Sequence, residues 1–95
     1  MDRLDVTLDR MRTFVRVAER GSLSAVAREF GIGQSTITRH VRELEEAVGL
    51  PLLSRTTRRV TMTDEGSRYY AKSVQILRLV EQARDVRHPD ALVAG

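Results

Sequence analysis

The residues with the most chemistry to offer lie between positions 34 and 42. Gln34, Ser35, Thr36, Thr38, Arg39 and Arg42 all carry hydrogen-bonding side chains. On a helix they lie opposite the apolar stripe of Ile37, Val41, Leu44 and Val48. An amide such as Gln34 presents a donor and an acceptor together, which matches the edge of adenine. An arginine such as Arg39 presents a fork that matches guanine or a phosphate. A merely solvated face is usually a mixture of Glu and Lys, whereas this one is built for directed hydrogen bonds. The N-terminal end of such a helix fits the major groove of duplex DNA. Plainer readings stay open at each position: Gln34 as an exposed first-turn residue, Thr38 as a solvent-facing Thr, Arg39 as an i,i+4 partner of Glu43, and Arg42 as a partner of Glu46.

A reading helix must be held at a fixed angle by a second one. Ala27, Gly31 and Ile37 have the spacing of a helix-turn-helix. Ala27 is small enough for two helices to cross near a right angle, Gly31 tolerates the positive φ of a tight turn, and Ile37 anchors the second helix in the core. Ahead of this pair, Leu8, Met11, Phe14, Val15 and Ala18 predict a first helix over about 6–20, stopped by Gly21. Ser22 and Ser24 are cap candidates for the second helix, with Val26, Ala27 and Phe30 facing inward; they also suit donation to a phosphate. Gly31-Ile32-Gly33 makes the turn, and Gly49 ends the third helix.

The period then changes. Between Leu50 and Met62, short apolar pieces flank Thr56-Thr57-Arg58-Arg59, which predicts a two-stranded hairpin. Arg55, Thr57, Arg58 and Arg59 on or beside its tip are placed to reach phosphates or the minor groove. An exposed charged hairpin is otherwise simply a protected sheet edge. Thr63 followed by Asp64-Glu65 caps a last helix, predicted to run to about Arg87 before His88-Pro89. At 1.5 Å per residue that helix is about 35 Å long, more than so small a globule covers. Tyr69, Tyr70, Val74, Ile76, Leu77, Val80 and Ala83 make it apolar over a broad face. One stripe rests on its own domain and the remainder pairs with a second chain; Tyr70, Val74, Leu77 and Val80 are the interface candidates. One-sided packing on the first helix is the alternative.

Composition narrows the function classes. The chain has 95 residues, no cysteine, and a net charge of +3. It fits one small domain with one extra element. A disulfide scaffold, a cysteine-ligated zinc finger and a thiol nucleophile are excluded. No apolar run approaches a membrane span, the N-terminus does not read as a signal peptide, and a reducing cytoplasm is the expected compartment. Lys72 is the only lysine, so the basic charge is almost entirely arginine; composition bias alone could produce that. His40 has no second ligand near it and reads as a packing or phosphate-edge residue, so neither metal nor cofactor is expected. Glu45-Glu46 lacks a nucleophile or pocket, and no catalytic triad is present. The chain is expected not to be an enzyme.

Several stretches match a known pattern in combination. They are Phe14-Val15-Arg16-Val17-Ala18-Glu19, Gly21-Ser22-Leu23-Ser24, Ala27-Arg28, Gln34-Ser35-Thr36-Ile37-Thr38-Arg39, Leu44-Glu45-Glu46, Val48-Gly49, Pro51-Leu52-Leu53-Ser54-Arg55 and Val60-Thr61-Met62-Thr63-Asp64-Glu65-Gly66. The chain to about residue 87 thereby resembles the N-terminal DNA-binding region of LysR-type transcriptional regulators. The resemblance implies a winged helix-turn-helix followed by a long linker helix through which two chains pair. It implies DNA contact from Gln34, Ser35, Thr38 and Arg39, and backbone or minor-groove contact from Arg55 and its neighbours. Gly33 stands where the family usually has a capping Ser or Thr, a change worth only about a few tenths of a kcal/mol. The family's two-lobed effector-binding domain has no counterpart in these residues, so no small-molecule effector site is expected in this chain.

The expectation is therefore a mainly α protein. Residues 1–63 form the winged helix-turn-helix, with three helices and a two-stranded wing. Residues 64–88 form a linker and dimerisation helix, and residues 89–95 a flexible tail. Its function is sequence-specific binding of double-stranded DNA, as a homodimer on a two-fold symmetric operator, to regulate transcription. The alternative is a dimerisation module that pairs with a full-length relative and modulates it.

Overall fold

The structure is a computed structural model that describes residues 7–56 and 59–86. Its elements run α1 (Leu8–Arg20), α2 (Leu23–Phe30), α3 (Gln34–Val48), β1 (Leu53–Arg55), β2 (Val60–Met62) and α4 (Asp64–Arg84). This is the expected order. The first helix begins at Leu8 rather than at about residue 6, because Thr7 is extended and its Oγ1 accepts the Arg10 N–H, closing the helix start at that point. Ser22 and Thr63 cap α2 and α4 in the same way, accepting from Ala25 N and Gly66 N. The last helix stops at Arg84, short of the expected Arg87, because Asp85 leaves helical geometry and turns its N–H back to the Gln82 carbonyl at 3.0 Å; His88-Pro89 lies outside the described residues.

The three first helices and the base of the wing enclose one core. Phe14, Val17, Val26, Ile37, Val41, Leu44 and Leu52 have no exposed surface, and Ala27 is 7% exposed at the α2–α3 crossing. Burying each larger side chain is worth about 1.5–3 kcal/mol against leaving it in water. Phe14 meets Tyr69 of α4 edge-on, with ring centroids 5.7 Å apart, so the long helix closes one side of this core. Between α2 and α3 the chain turns at Gly31, whose φ of 71° strains any residue with a side chain. There the Ile32 N–H reaches back to the Ala27 carbonyl at 3.1 Å.

The wing is a two-stranded antiparallel sheet in which Leu53, Ser54 and Arg55 face Met62, Thr61 and Val60. Its base is held from two sides. Glu45 on α3 accepts the N–H groups of Leu52 and Leu53 at 2.9 and 3.0 Å. From the other side, Thr63 donates its N–H to the Leu52 carbonyl at 3.0 Å and its hydroxyl to the Pro51 carbonyl at 2.8 Å. Gly66 lies so close that a methyl group on it would overlap the Leu52 carbonyl. The wing thus stands on α3 and α4 rather than swinging from a free loop.

Candidate nucleic-acid interface

The core stripe of α3 turns its polar face outward. Gln34, Ser35, Arg39 and Arg42 are exposed, while Thr36 and Thr38 are half-buried at its margins. Gly33 precedes the helix without a side-chain cap. The Thr36 N–H is satisfied by the Gly33 carbonyl at 3.1 Å, so the first turn tightens onto its own backbone.

Three separate elements converge beside this helix start. A depression of about 280 Å³ is lined by Ser22 and Ser24 at the start of α2, Gln34 at the start of α3, and Arg55, Thr56 and Arg59 of the wing. Ser22 caps α2, its oxygen accepting the Ala25 N–H at 3.1 Å, and it lies 3.2 Å from Ser24 Oγ. The wing tip is closed by Thr56 and Arg59. Thr56 N–H donates to the Arg59 carbonyl at 2.9 Å, and Arg59 N–H donates to Thr56 Oγ1 at 3.0 Å. The Arg59 side chain is exposed. Arg55 points from the last position of β1 and is also exposed. Thr57 and Arg58, the other wing candidates, lie outside the described residues.

Charges around this face are partly spoken for. Arg39 Nε stands 4.0 Å from Glu43, the i,i+4 neighbour that the sequence offered as its rival partner. Arg42 makes no ion pair with a described acidic residue, so Glu46 does not hold it. On the far side of α1, Arg16 binds Glu29 of α2 through two nitrogens at 3.0 and 2.8 Å, and Arg20 adds a third bond at 2.9 Å. The Arg16 bond pulls the Glu29 carboxyl below its ordinary range, and the same bond raises Arg16 further above its own. Glu19 accepts the Tyr70 hydroxyl at 2.7 Å, and that bond raises the Tyr70 pKa.

A larger hollow of about 510 Å³ lies between α1, α2 and α3, lined among others by Arg12, Arg16, Glu29, Phe30 and His40. Its occupants serve each other. Arg12 lies over the Phe30 ring, 5.8 Å from the centroid, and Arg16 is bound to Glu29. Thr13 spends its hydroxyl hydrogen on the Asp9 carbonyl at 3.0 Å. His40 Nδ1 lies 3.3 Å from the Thr13 hydroxyl oxygen. His40 is a packing residue of α3. Among the described residues no group of three His, Cys, Asp or Glu side chains is placed to hold a metal.

The interface candidates of α4 divide. Tyr70, Val74 and Leu77 pack against the domain's own core. Val80 is half-buried. The apolar side chains of α4 left facing outward are Ile76 at 39% and Leu79 at 64% exposure, and Val86, two residues past the helix end, is 61% exposed. With exposed Ala83, Ile76 and Leu79 form a second stripe, about a third of a turn round the helix from Gly66 and Ser73.

Reading the sequence alone missed Glu45, the Arg10–Glu43 pair and the Glu19–Tyr70 bond. Each joins residues brought together only by the fold, and no local pattern signals them.

Residues 8–67 match the family described as bacterial regulatory helix-turn-helix protein, lysR family. The chain belongs to the LysR family. It is 41% identical over 78 residues to the HTH-type transcriptional regulator DmlR of Escherichia coli (strain K12), a match covering 82% of this chain and 25% of that protein. It is 43% identical over 72 residues to the probable HTH-type transcriptional regulator LtrA of Klebsiella pneumoniae, covering 76% of this chain and 23% of that one. The chain thus spans about a quarter of the length of the curated relatives it matches. Its fold matches a crystal structure of a BenM DBD complex with catB site 1 DNA at a TM-score of 0.82 and 33% identity, covering 90% of this chain and 94% of that one. A CbnR DBD–DNA complex matches with a TM-score of 0.82 and 29% identity, covering 90% and 98%. The protein carries a LysR-type regulatory DNA-binding domain, and the LysR family is one of transcriptional regulators rather than enzymes.

Proposed function

We propose that this LysR-family chain binds duplex DNA by sequence, as a homodimer on a two-fold symmetric operator, and so regulates transcription in the cytoplasm. The observation that carries the reading is the convergence of Ser22, Ser24, Gln34, Arg55 and Arg59 on one depression beside the exposed face of α3. Base edges are read by Gln34, Ser35, Thr38 and Arg39, with Thr36 at the margin. Phosphates or the minor groove are held by Ser22, Ser24, Arg42 and the wing, for which Arg55, Thr57, Arg58 and Arg59 are the candidates. Solved structures with the same fold include complexes with DNA, which supports DNA as the partner.

For pairing, the second apolar stripe of α4 is the better surface. Ile76, Leu79 and Ala83 lie in water in the single chain, with Val80 at their border, whereas Tyr70, Val74 and Leu77 already have partners. An antiparallel helix pair buries that stripe and sets the distance between two reading helices. Residues 1–63 read DNA in this scheme, 64–88 pair, and 89–95 form a tail.

Selection from random duplexes with the purified chain tests the proposal. A consensus with two-fold symmetry is expected. Recovery of unselected sequences, or of a single half-site by a monomer, overturns it. Pairing only with a full-length relative, without operator binding by the homodimer, favours the rival role as a dimerisation module.

A further inference from the structure

Arg39 does not stand alone on α3. One turn further on, Glu43 faces it with Oε2 at 4.0 Å from Arg39 Nε. The other oxygen of the same carboxylate is taken from α1: Arg10 Nε donates to Glu43 Oε1 at 2.6 Å, and Arg10 Nη2 approaches it at 2.5 Å. Arg10 is itself tied down. Its Nη1 donates to Thr7 Oγ1 at 3.2 Å, the oxygen that caps α1 by accepting Arg10 N–H at 3.2 Å. A relay therefore runs from the start of α1 to the outward face of α3.

We infer that Glu43, fixed by Arg10, positions Arg39 and thereby sets the sequence selectivity of the reading helix. The inference rests on the assignment of Arg39 as a base contact. A bare carboxylate on a groove-facing helix would repel phosphates. Arg10 cancels its charge, so Glu43 holds Arg39 without leaving a net negative charge on α3. A contact at 4.0 Å is an ion pair rather than a hydrogen bond, so it restrains the guanidinium without consuming it. It sits on the Nε side, which leaves the two terminal nitrogens free to form a fork on one base. Restraint before binding lowers the ordering cost of that contact. It also opposes a swing of Arg39 to the nearest phosphate, which every sequence offers. Discrimination against wrong partners is gained on both counts.

The test measures affinity for the selected duplex and for a scrambled one, using the chain, Glu43→Gln, Arg39→Ala and the double variant. Glu43→Gln keeps the shape and removes the charge. It should bind scrambled DNA more tightly and lower the selected-to-scrambled ratio about tenfold, the scale of one good base contact. In the Arg39→Ala background the same change should alter the ratio less than about twofold, because the two residues act as one unit. Arg10→Gln, which unhooks Glu43 from α1, should also lower the ratio, and it stands in if Glu43→Gln does not fold. An equal loss from Glu43→Gln in both backgrounds, or no loss while Arg39→Ala relaxes selectivity, overturns the inference and leaves the Arg39 reading intact. If Arg39→Ala leaves selectivity unchanged, the underlying reading fails first.

Discussion

Glu45 and Leu52 are joined across the base of the wing: the Glu45 carboxylate accepts Leu52 N–H at 2.9 Å and, with the same oxygen, Leu53 N–H at 3.0 Å. One side chain of the reading helix thereby terminates the loop from which the wing rises. Glu45→Ala should cost about 1–3 kcal/mol of stability, because it strands backbone donors beside a fully buried leucine. Glu45→Gln retains an acceptor oxygen and should cost less. Denaturant unfolding of the two variants checks the order, and equal losses would contradict it.

Ser73 offers the opposite case. Its hydroxyl is fully buried in α4 and has no hydrogen-bond partner in the structure. Ser73→Ala should raise stability by about 1 kcal/mol, through removal of a desolvated polar group and a gain in helix propensity. A lower denaturation midpoint for this variant would show that the oxygen is satisfied after all.

The Arg16–Glu29 bond makes the packing of α2 on α1 sensitive to acid. Folding depresses the Glu29 pKa below its ordinary value of 4.5, so the folded state binds this proton less readily than the unfolded one. Its contribution is complete above that ordinary value and is lost as pH falls through the lower, folded value. Melting temperature should therefore fall more steeply below pH 4.5 for the chain than for Glu29→Gln. Parallel acid limbs in the two melting profiles would remove Glu29 from the account.

DNA binding should separate by element. Arg39→Ala is expected to relax sequence choice as well as weaken affinity. Arg55→Ala or Arg59→Ala should weaken selected and scrambled duplexes alike. Each should also flatten the plot of log K against log salt by about one unit per lost phosphate contact. A wing variant with an unaltered salt slope makes no phosphate contact at that residue.

Much of this architecture is legible along the chain because the features that set it are local. Ser22 and Thr63 announce helix starts through their own oxygens, Gly31 marks the turn, and the stripe from Ile37 to Val48 shows which side of α3 is left for a ligand. The apolar pattern of α1 opens at Leu8 but does not say which residue ahead of it ends the helix; the extended Thr7, capping the Arg10 N–H, does. The two stripes of α4 show the limit more sharply. Tyr70, Val74 and Leu77 interleave with Ile76, Leu79 and Ala83 at helical spacing, so periodicity does not say which set turns inward. Rotation of the helix is decided elsewhere, by the Thr63 cap and the seating of Gly66 on Leu52. Glu43 and Glu45 were equally opaque, since the groups they hold come from α1 and from the base of the wing.

The seam between Gly66 and Leu52 has a mechanical meaning. Backbone meets backbone there, with no flexible side chain to absorb strain. The head of α4 therefore seats directly on the backbone from which the wing rises. If α4 moves as one rod, a tilt at its Arg84 end is passed to the base of the wing, so the crossing angle of two such rods would govern the reach of two wings along a duplex.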